Sequence, residues 1–228
     1  MKKVSVVLGL ALVAVGAQAN IFEDYEGLTE GFLGSSFTNN GVTYRDVNAV
    51  TGFQPDGSPF TQADLGDQVI VEDASVFYND FPGFGSPVNA LTFGSSFVPG
   101  ENLSIGALAS VYMDIDQVST AASFNIAYYE NGPWGDIVYH LDAIDNGNVV
   151  ASDSFTISNL GGRDNATYQT MSVSGASFTT LHLYATLNGD YVAPRGMIDN
   201  LNITTVPEPA SLTALALGGL LLKRRKKA

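Results

Sequence analysis

The sequence predicts an all-β protein built as a single β-sandwich, and three observations carry that prediction. Between residues 20 and 205 the chain is rich in Val, Ile, Phe, Tyr, Thr and Ser, broken at short intervals by Gly, Asn, Asp and Pro. That is the composition of short strands joined by tight turns. No stretch of the region repeats its apolar residues with the period of a helix. The chain has no cysteine, so its stability must come from a packed core, which a domain of roughly this size can bury.

Taken in order, Ile21 to Leu28 opens the domain and Gly41 to Val50 is a second strand. Thr51 to Asp67, heavy in Gly, Pro and Asp, reads as a loop, followed by strands at Gln68 to Glu72 and Ser75 to Tyr78. Asn79 to Pro87 is a second loop rich in Gly, Pro and aromatic residues. Further strands are expected at Val88 to Phe93, Leu103 to Ile115, Ala122 to Glu130, Ile137 to Ile144, Val149 to Ile157, Thr167 to Val173, Phe178 to Leu187 and Met197 to Ile203. Asn146-Gly147 lies between two alternating runs and predicts a tight hairpin, because both central residues of such a turn need positive φ. In the strand before it, Ile137, Tyr139, Leu141 and Ala143 share one face and are expected in the core. No internal repeat and no second composition regime occurs, so one mature domain is expected.

Both ends fall outside this pattern. Lys2-Lys3, the apolar run Val4 to Val15 and Ala17-Gln18-Ala19 form the charged, apolar and small-residue parts of a secretory signal peptide at residues 1–19. The last segment, residues 206–228, begins Val206-Pro207-Glu208-Pro209, continues as a short apolar helix from Ala210 to Leu222, and ends Lys223-Arg224-Arg225-Lys226-Lys227. The prolines remove backbone donors and hold the chain extended. The apolar run is shorter than the ~20 residues of a spanning helix, and the basic end favours the cytoplasmic side of a membrane. This order of parts resembles the PEP-CTERM sorting signal of exopolysaccharide-producing Gram-negative bacteria. The resemblance implies export by the Sec machinery and a transient stay in the inner membrane. It further implies cleavage near Pro207-Glu208-Pro209 by exosortase, then delivery to the cell surface or extracellular matrix.

Removing the ends changes the charge. All five lysines, together with Arg224 and Arg225, lie in the terminal segments, leaving Arg45, Arg163 and Arg195 against 22 carboxylates between residues 20 and 206, a net −19. A surface of that sign repels nucleic acid and anionic lipid and collects cations.

Sites are sparse. The two histidines, His140 and His182, each fall on the solvated face of an alternating strand. No Gly-x-Ser-x-Gly elbow, His-Glu-x-x-His or Walker loop is present, so the expectation is a non-catalytic protein. Asp199 lies in the mostly apolar alternation Met197, Asp199, Leu201, Ile203, and a buried carboxylate there requires a partner. Phe22, Asp24, Glu26 and Leu28 repeat the pattern at the other terminus. A structural Ca²⁺ held by Asp199, Asp24 and Glu26 would satisfy both sets; hydrogen bonding to backbone amides or to Arg195 is the alternative. The Ile-Asp-Asn-Leu ending before Val-Pro-Glu-Pro also resembles that of jelly-roll domains carried by PEP-CTERM proteins, which implies a jelly-roll sandwich. The only tryptophan, Trp134, lies in a Gly/Pro loop beside Tyr128 and Tyr129. These rings are candidates for a glycan platform, since aromatic faces stack on sugar rings; the alternative is a tryptophan capping the sandwich.

The function expected is a structural or adhesive part in an exopolysaccharide matrix, with a carbohydrate-binding module as the alternative and a glycoside-acting enzyme behind both. Mass spectrometry of the released protein tests the processing. The mature chain should begin near Asn20 and lack Lys223 to Ala228; an intact basic terminus on released material overturns the sorting reading.

Overall fold

The computed structural model describes residues 20–45, 51–53, 59–61, 70–74, 84–85, 88–94, 110–128, 136–158, 167–192 and 195–206. Every regular element among them is a strand: β1 (Asn20–Glu23), β2 (Gly31–Phe32), β3 (Ser36–Asn39), β4 (Val42–Arg45), β5 (Thr51–Phe53), β6 (Pro59–Thr61), β7 (Ile70–Asp73), β8 (Asn89–Gly94), β9 (Ser110–Tyr128), β10 (Asp136–Asp145), β11 (Asn148–Ser158), β12 (Thr167–Leu187), β13 (Asp190–Val192) and β14 (Arg195–Thr205). The fourteen strands form one hydrogen-bonded sheet, antiparallel except where β13 meets β5. No helix among the described residues is long and apolar enough to cross a membrane. The expected terminal helices, Ser75 to Tyr78 and most of the Asn79 to Pro87 loop lie outside the described residues.

Two long strands organise this sheet. Ser110 to Asp114 of β9 pair with Thr180 to Tyr184 of β12, and Ser119 to Tyr128 pair with Thr167 to Phe178. Other partners change at the same point. The first part of β9 also pairs with β4 and the last part of β12 with β10, whereas the second part of β9 pairs with β14. The sequence splits both strands, at Asp116 to Ala121 and at Ser174 to Ser177, because those residues are polar and small and read as turns. They are bulges instead: the ladder shifts register there and the backbone stays extended, with Gly175 at φ 91°. A bulge bends and twists a strand without ending it. One sheet can therefore supply both walls of a core, an arrangement that fits a β-sandwich.

The core follows the two-residue period. Ile137, Tyr139, Leu141 and Ala143 of β10 are all buried, together with Leu181, Leu183 and Ala185 of β12, Val111 and Met113 of β9, and Phe124 and Ile126 beyond the bulge. Each such side chain contributes roughly 1.5–3 kcal/mol by leaving water. The Asn146-Gly147 hairpin has the expected geometry, φ 48° and 79°. Asn40-Gly41 joins β3 to β4 and Asn188-Gly189 joins β12 to β13 with the same left-handed pair of residues.

The first strand is shorter than expected. It stops at Glu23, because Tyr25 adopts φ 58° and turns its ring into the core, where its hydroxyl meets that of Tyr44 at 3.2 Å. Burial pushes both tyrosine hydroxyls up, so they stay protonated. The turn is held by the carboxylate of Glu23, which accepts the Tyr25 N–H at 3.0 Å and the side-chain amides of Asn39 and Asn40. Phe22 is 53% exposed. The expected shared face of Phe22, Asp24, Glu26 and Leu28 is therefore absent, and the buried acid at this end is Glu23.

The last strand departs from strict alternation as well. Asp199 pairs with Asn125 but Asn202 pairs with Ser123, so one extra residue enters at Asn200, whose φ is 54°. Past that bulge the faces exchange, and Asp199 lies on the face opposite Leu201 and Ile203. It is fully buried nonetheless. The Phe84-Gly85 segment crosses over it, fixed by the Asn125 side-chain amide donating to the Phe84 carbonyl. A Cβ on Gly85 would stand 1.9 Å from Asp199 Oδ2 and 2.8 Å from its Cβ. Gly85→Ala should therefore lower stability by about 1–3 kcal/mol, read as a shifted denaturant midpoint at unchanged slope; a neutral result would mean that this segment does not cover Asp199.

Candidate functional site

The outward face of β4, β9, β12, β10 and β11 is polar. Cross-strand register places Arg45 beside Tyr112, Tyr112 beside His182, His182 beside Asp142, Asp142 beside Ser152, and Tyr184 beside both Ser110 and His140. These are the even-numbered partners of the buried residues on β9, β10 and β12, so the alternation that builds the core also builds this surface.

Four rings form a continuous stack across it. Tyr112 and His182 have centroids 4.0 Å apart and planes inclined by 17°, His182 and Tyr184 lie at 4.4 Å and 22°, and Tyr184 and His140 at 4.6 Å and 12°. The Arg45 guanidinium caps the Tyr112 end, 4.6 Å above the ring. Stacking turns the inner ring faces toward each other, so those faces are covered by neighbouring rings rather than offered to solvent. Carboxylates hold the stack on both sides. Asp114 binds the Arg45 guanidinium through two nitrogens and accepts the Thr180 hydroxyl at 2.9 Å. Asp142 accepts the hydroxyls of Ser152 at 2.6 Å and Tyr184 at 3.1 Å. His140 Nε2 pairs with the Thr186 hydroxyl at 2.9 Å.

The centre of the stack is its least satisfied part. His182 is 5% exposed and its Nε2 has no hydrogen-bond partner; Ser110, diagonally across the ladder, is fully buried and its Oγ is likewise unpartnered. Buried polar atoms nearly always find a partner, and these two lack one within the protein. Desolvation pulls His182 down to about 4 against the opposing pull of Asp142, while Arg45 and His140 push in the same direction as burial. His140 is lowered too, again by desolvation against Asp142. Tyr184 is pushed up to about 12, by burial first and then by Asp142. Both imidazoles are therefore neutral at pH 7.

The expected site residues are placed as follows. Tyr128 is 8% exposed, with its ring against Phe155 at 4.9 Å and Tyr139 at 5.8 Å. Its faces are occupied by protein and form no platform. Trp134 and Tyr129 lie outside the described residues, as do Pro207, Glu208 and Pro209; Val206 donates its N–H to the Val118 carbonyl at 2.7 Å. The proposed cation ligands have amide partners. Asp24 Oδ1 accepts the Glu26 N–H, Glu26 Oε1 accepts those of Val88 and Asn89, and Asp199 Oδ1 accepts that of Asn200. Donors aimed at these oxygens are the opposite of what a cation requires, and among the described residues no three His, Asp or Glu side chains are grouped to hold a metal. Asp24, Glu26 and Asp199 thus do not fit a shared calcium. The histidines, expected at the solvent, lie within the ring stack instead, His182 buried and His140 half-buried; their shared parity with Tyr112, Tyr184 and Asp142 is the signal in the sequence.

No family model and no curated protein matches the chain. Among solved structures, the K1 cleaved adhesin domain of Lys-gingipain from Porphyromonas gingivalis W83 is similar at 14% identity and a TM-score of 0.43, covering 82% of this chain and 99% of that one. TmCBM61 in complex with β-1,4-galactotriose gives 13% and 0.32 over 60% and 82%. A family 29 carbohydrate-binding module gives 14% and 0.30 over 86% and 97%. Scores this low carry no argument about function.

The His182 environment has a pH consequence. Its folded value of about 4 lies below the ordinary imidazole value of 6.5, so the unfolded chain takes up the proton first. Its contribution to stability is complete above pH 6.5 and is lost as pH falls toward 4, by on the order of 3 kcal/mol. His182→Phe keeps the stack without the titration. Denaturant melts at pH 7 and pH 4.5 should show the variant losing less stability than the parent; equal losses would place His182 in water.

Proposed function

We propose that this is an exported, non-catalytic surface or matrix protein, a jelly-roll sandwich that contacts glycan through the polar aromatic face of β9, β12 and β10. The observation that carries the reading is the four-ring stack on the polar outward face, flanked by the Asp114 and Asp142 carboxylates and capped by Arg45. Hydroxyl-rich ligands are recognised by such convergent donors and acceptors beside apolar carbon. The signal-like N-terminus and the Val206-Pro207-Glu208-Pro209 tail support the route, with Sec export, exosortase and the extracellular matrix as its stations. The scarcity of catalytic motifs supports the non-catalytic half, and the anionic body supports a partner that is not nucleic acid.

The test is affinity electrophoresis through gels cast with the producing organism's own exopolysaccharide. The parent protein should be retarded. Tyr184→Ala and Tyr112→Ala should each weaken retardation about tenfold with little change in melting temperature. Retardation that survives both substitutions removes this face from the reading.

A further inference from the structure

Independently of the ring stack, we propose that the outward face of β1 and the last part of β14 docks on the surface of the lipid bilayer that receives the Ala210 to Leu222 run, for as long as the chain is tied to it. Cross-strand register lays this face out in two rows. Phe22 lies opposite Asn202, Asn202 opposite Ser123 and Ser123 opposite Ser172; Asn20, Thr204, Ala121 and Ser174 make the next row in the same way. Their neighbours of opposite parity, Leu201, Ile203, Ala122 and Val173, are buried, so both rows look outward. None of these outward side chains is charged, in a body that carries three arginines against 22 carboxylates. Val206 continues the parity of Asn202 and Thr204, and its N–H donates to the Val118 carbonyl at 2.7 Å. Phe22, Val118 and Val206 are 53%, 47% and 42% exposed, half of the six large apolar side chains exposed among the described residues. Apolar groups gathered on an uncharged face mark a docking surface, whereas scattered ones do not. Carboxylates return only at its margins, with Asp116 in the β9 bulge and Asp153 at the outer edge of β12.

The chain itself selects the occupant. The apolar run begins at Ala210, four residues beyond Val206, and four residues of chain reach at most about 14 Å. Whatever receives the run therefore lies within that distance of Val206. Asn20, which follows the first apolar run, pairs with Thr204 and so lies at the same end of the body. Each run is apolar and each is flanked by lysines on its far side, the pattern of segments that enter a membrane from one side. A contact too weak to bind free protein becomes effective under such a tether, because the local concentration reaches the millimolar range. The choice of face follows from hydration. A carboxylate brought against the bilayer loses water at a cost, while Phe and Val gain by leaving it. The ring-stack face carries Arg45, Asp114 and Asp142 and is the wrong one to present.

The chain has no cysteine, so a single introduced cysteine carries a single label. Asn202→Cys and Ser123→Cys report on the face, Ser154→Cys on the ring-stack side and Leu217→Cys on the apolar run, each bearing an environment-sensitive fluorophore on the full chain reconstituted with phosphatidylcholine vesicles. Expected are blue-shifted emission and quenching by lipid-borne nitroxides at Asn202, Ser123 and Leu217, with the Ser154 label remaining in water and quenched by iodide. Phe22→Ser combined with Val118→Ser should return the Asn202 and Ser123 labels to water, at unchanged melting temperature and with Leu217 still inserted. An inserted Leu217 with Asn202 and Ser123 in water overturns the docking face, and a Leu217 label in water overturns the proposal through its tether. A shift at Asn202 that needs no vesicles and grows with protein concentration assigns the face to a second copy of the chain and overturns the bilayer as its occupant. If the double variant unfolds, the labels on the otherwise unaltered chain decide alone.

Discussion

The pairing of β9 with β12 is the constraint on which the rest of the structure depends. Both strands run through their bulges without ending, so a single ladder fixes where β4, β10 and β14 attach. Two of the features described above are neighbours of that ladder: the stack on one part of it, the Asp199 bulge on the other. An unbroken strand pair also leaves an edge. The first part of β12 has β9 on one side, and on its other side the Ser172 N–H donates to the Asp153 carboxylate of β11 at 2.8 Å. Asp153 thus satisfies a ladder donor with a charged side chain where another strand would otherwise pair, a usual way of keeping sheet edges from joining.

Much of this was legible in the sequence, for reasons that are local. The alternation Ile137 to Ala143 identified a half-buried strand because a side chain's face is set by parity alone, and the Asn146-Gly147 turn followed from the φ its residues tolerate. The same dipeptide at Asn40-Gly41 and Asn188-Gly189 carries equal information, but each of these turns has at least one flanking strand of only three or four residues, too short to show an alternation. Thr51 to Asp67 was read as a loop, yet β5 and β6 lie within it; their pairing is with distant β13 and with each other, which composition does not reveal. The bulges were illegible for a deeper reason. Asp116 to Thr120 and Ser174 to Ser177 have the composition of turns, and only the ladder partner decides whether such residues reverse the chain or bend it.

Bulges also explain the misreading of both terminal acids. Parity predicts faces only while every residue is paired, and one inserted residue at Asn200 moves Asp199 to the other side of the sheet. At the first strand, a left-handed Tyr25 has the same effect, replacing Asp24 with Glu23 as the buried carboxylate. In each case the acid helps hold the irregularity that misplaced it: Glu23 accepts the Tyr25 N–H and Asp199 accepts the Asn200 N–H. Carboxylates with this task are consumed by the fold, which is why a cation model built on strict alternation chose the wrong set.

The ring stack carries a further consequence for recognition. A platform of exposed ring faces binds sugars through apolar contact and tolerates many of them, because every sugar has an apolar face. Here those faces are spent on one another at 4.0 to 4.6 Å, so the selective part of any contact must come from hydroxyls, ring nitrogens and carboxylates. Beneath the rings Ser110 Oγ and His182 Nε2 stand unpartnered and closed to solvent, and burial keeps the His182 ring in the stack neutral at any pH well above 4.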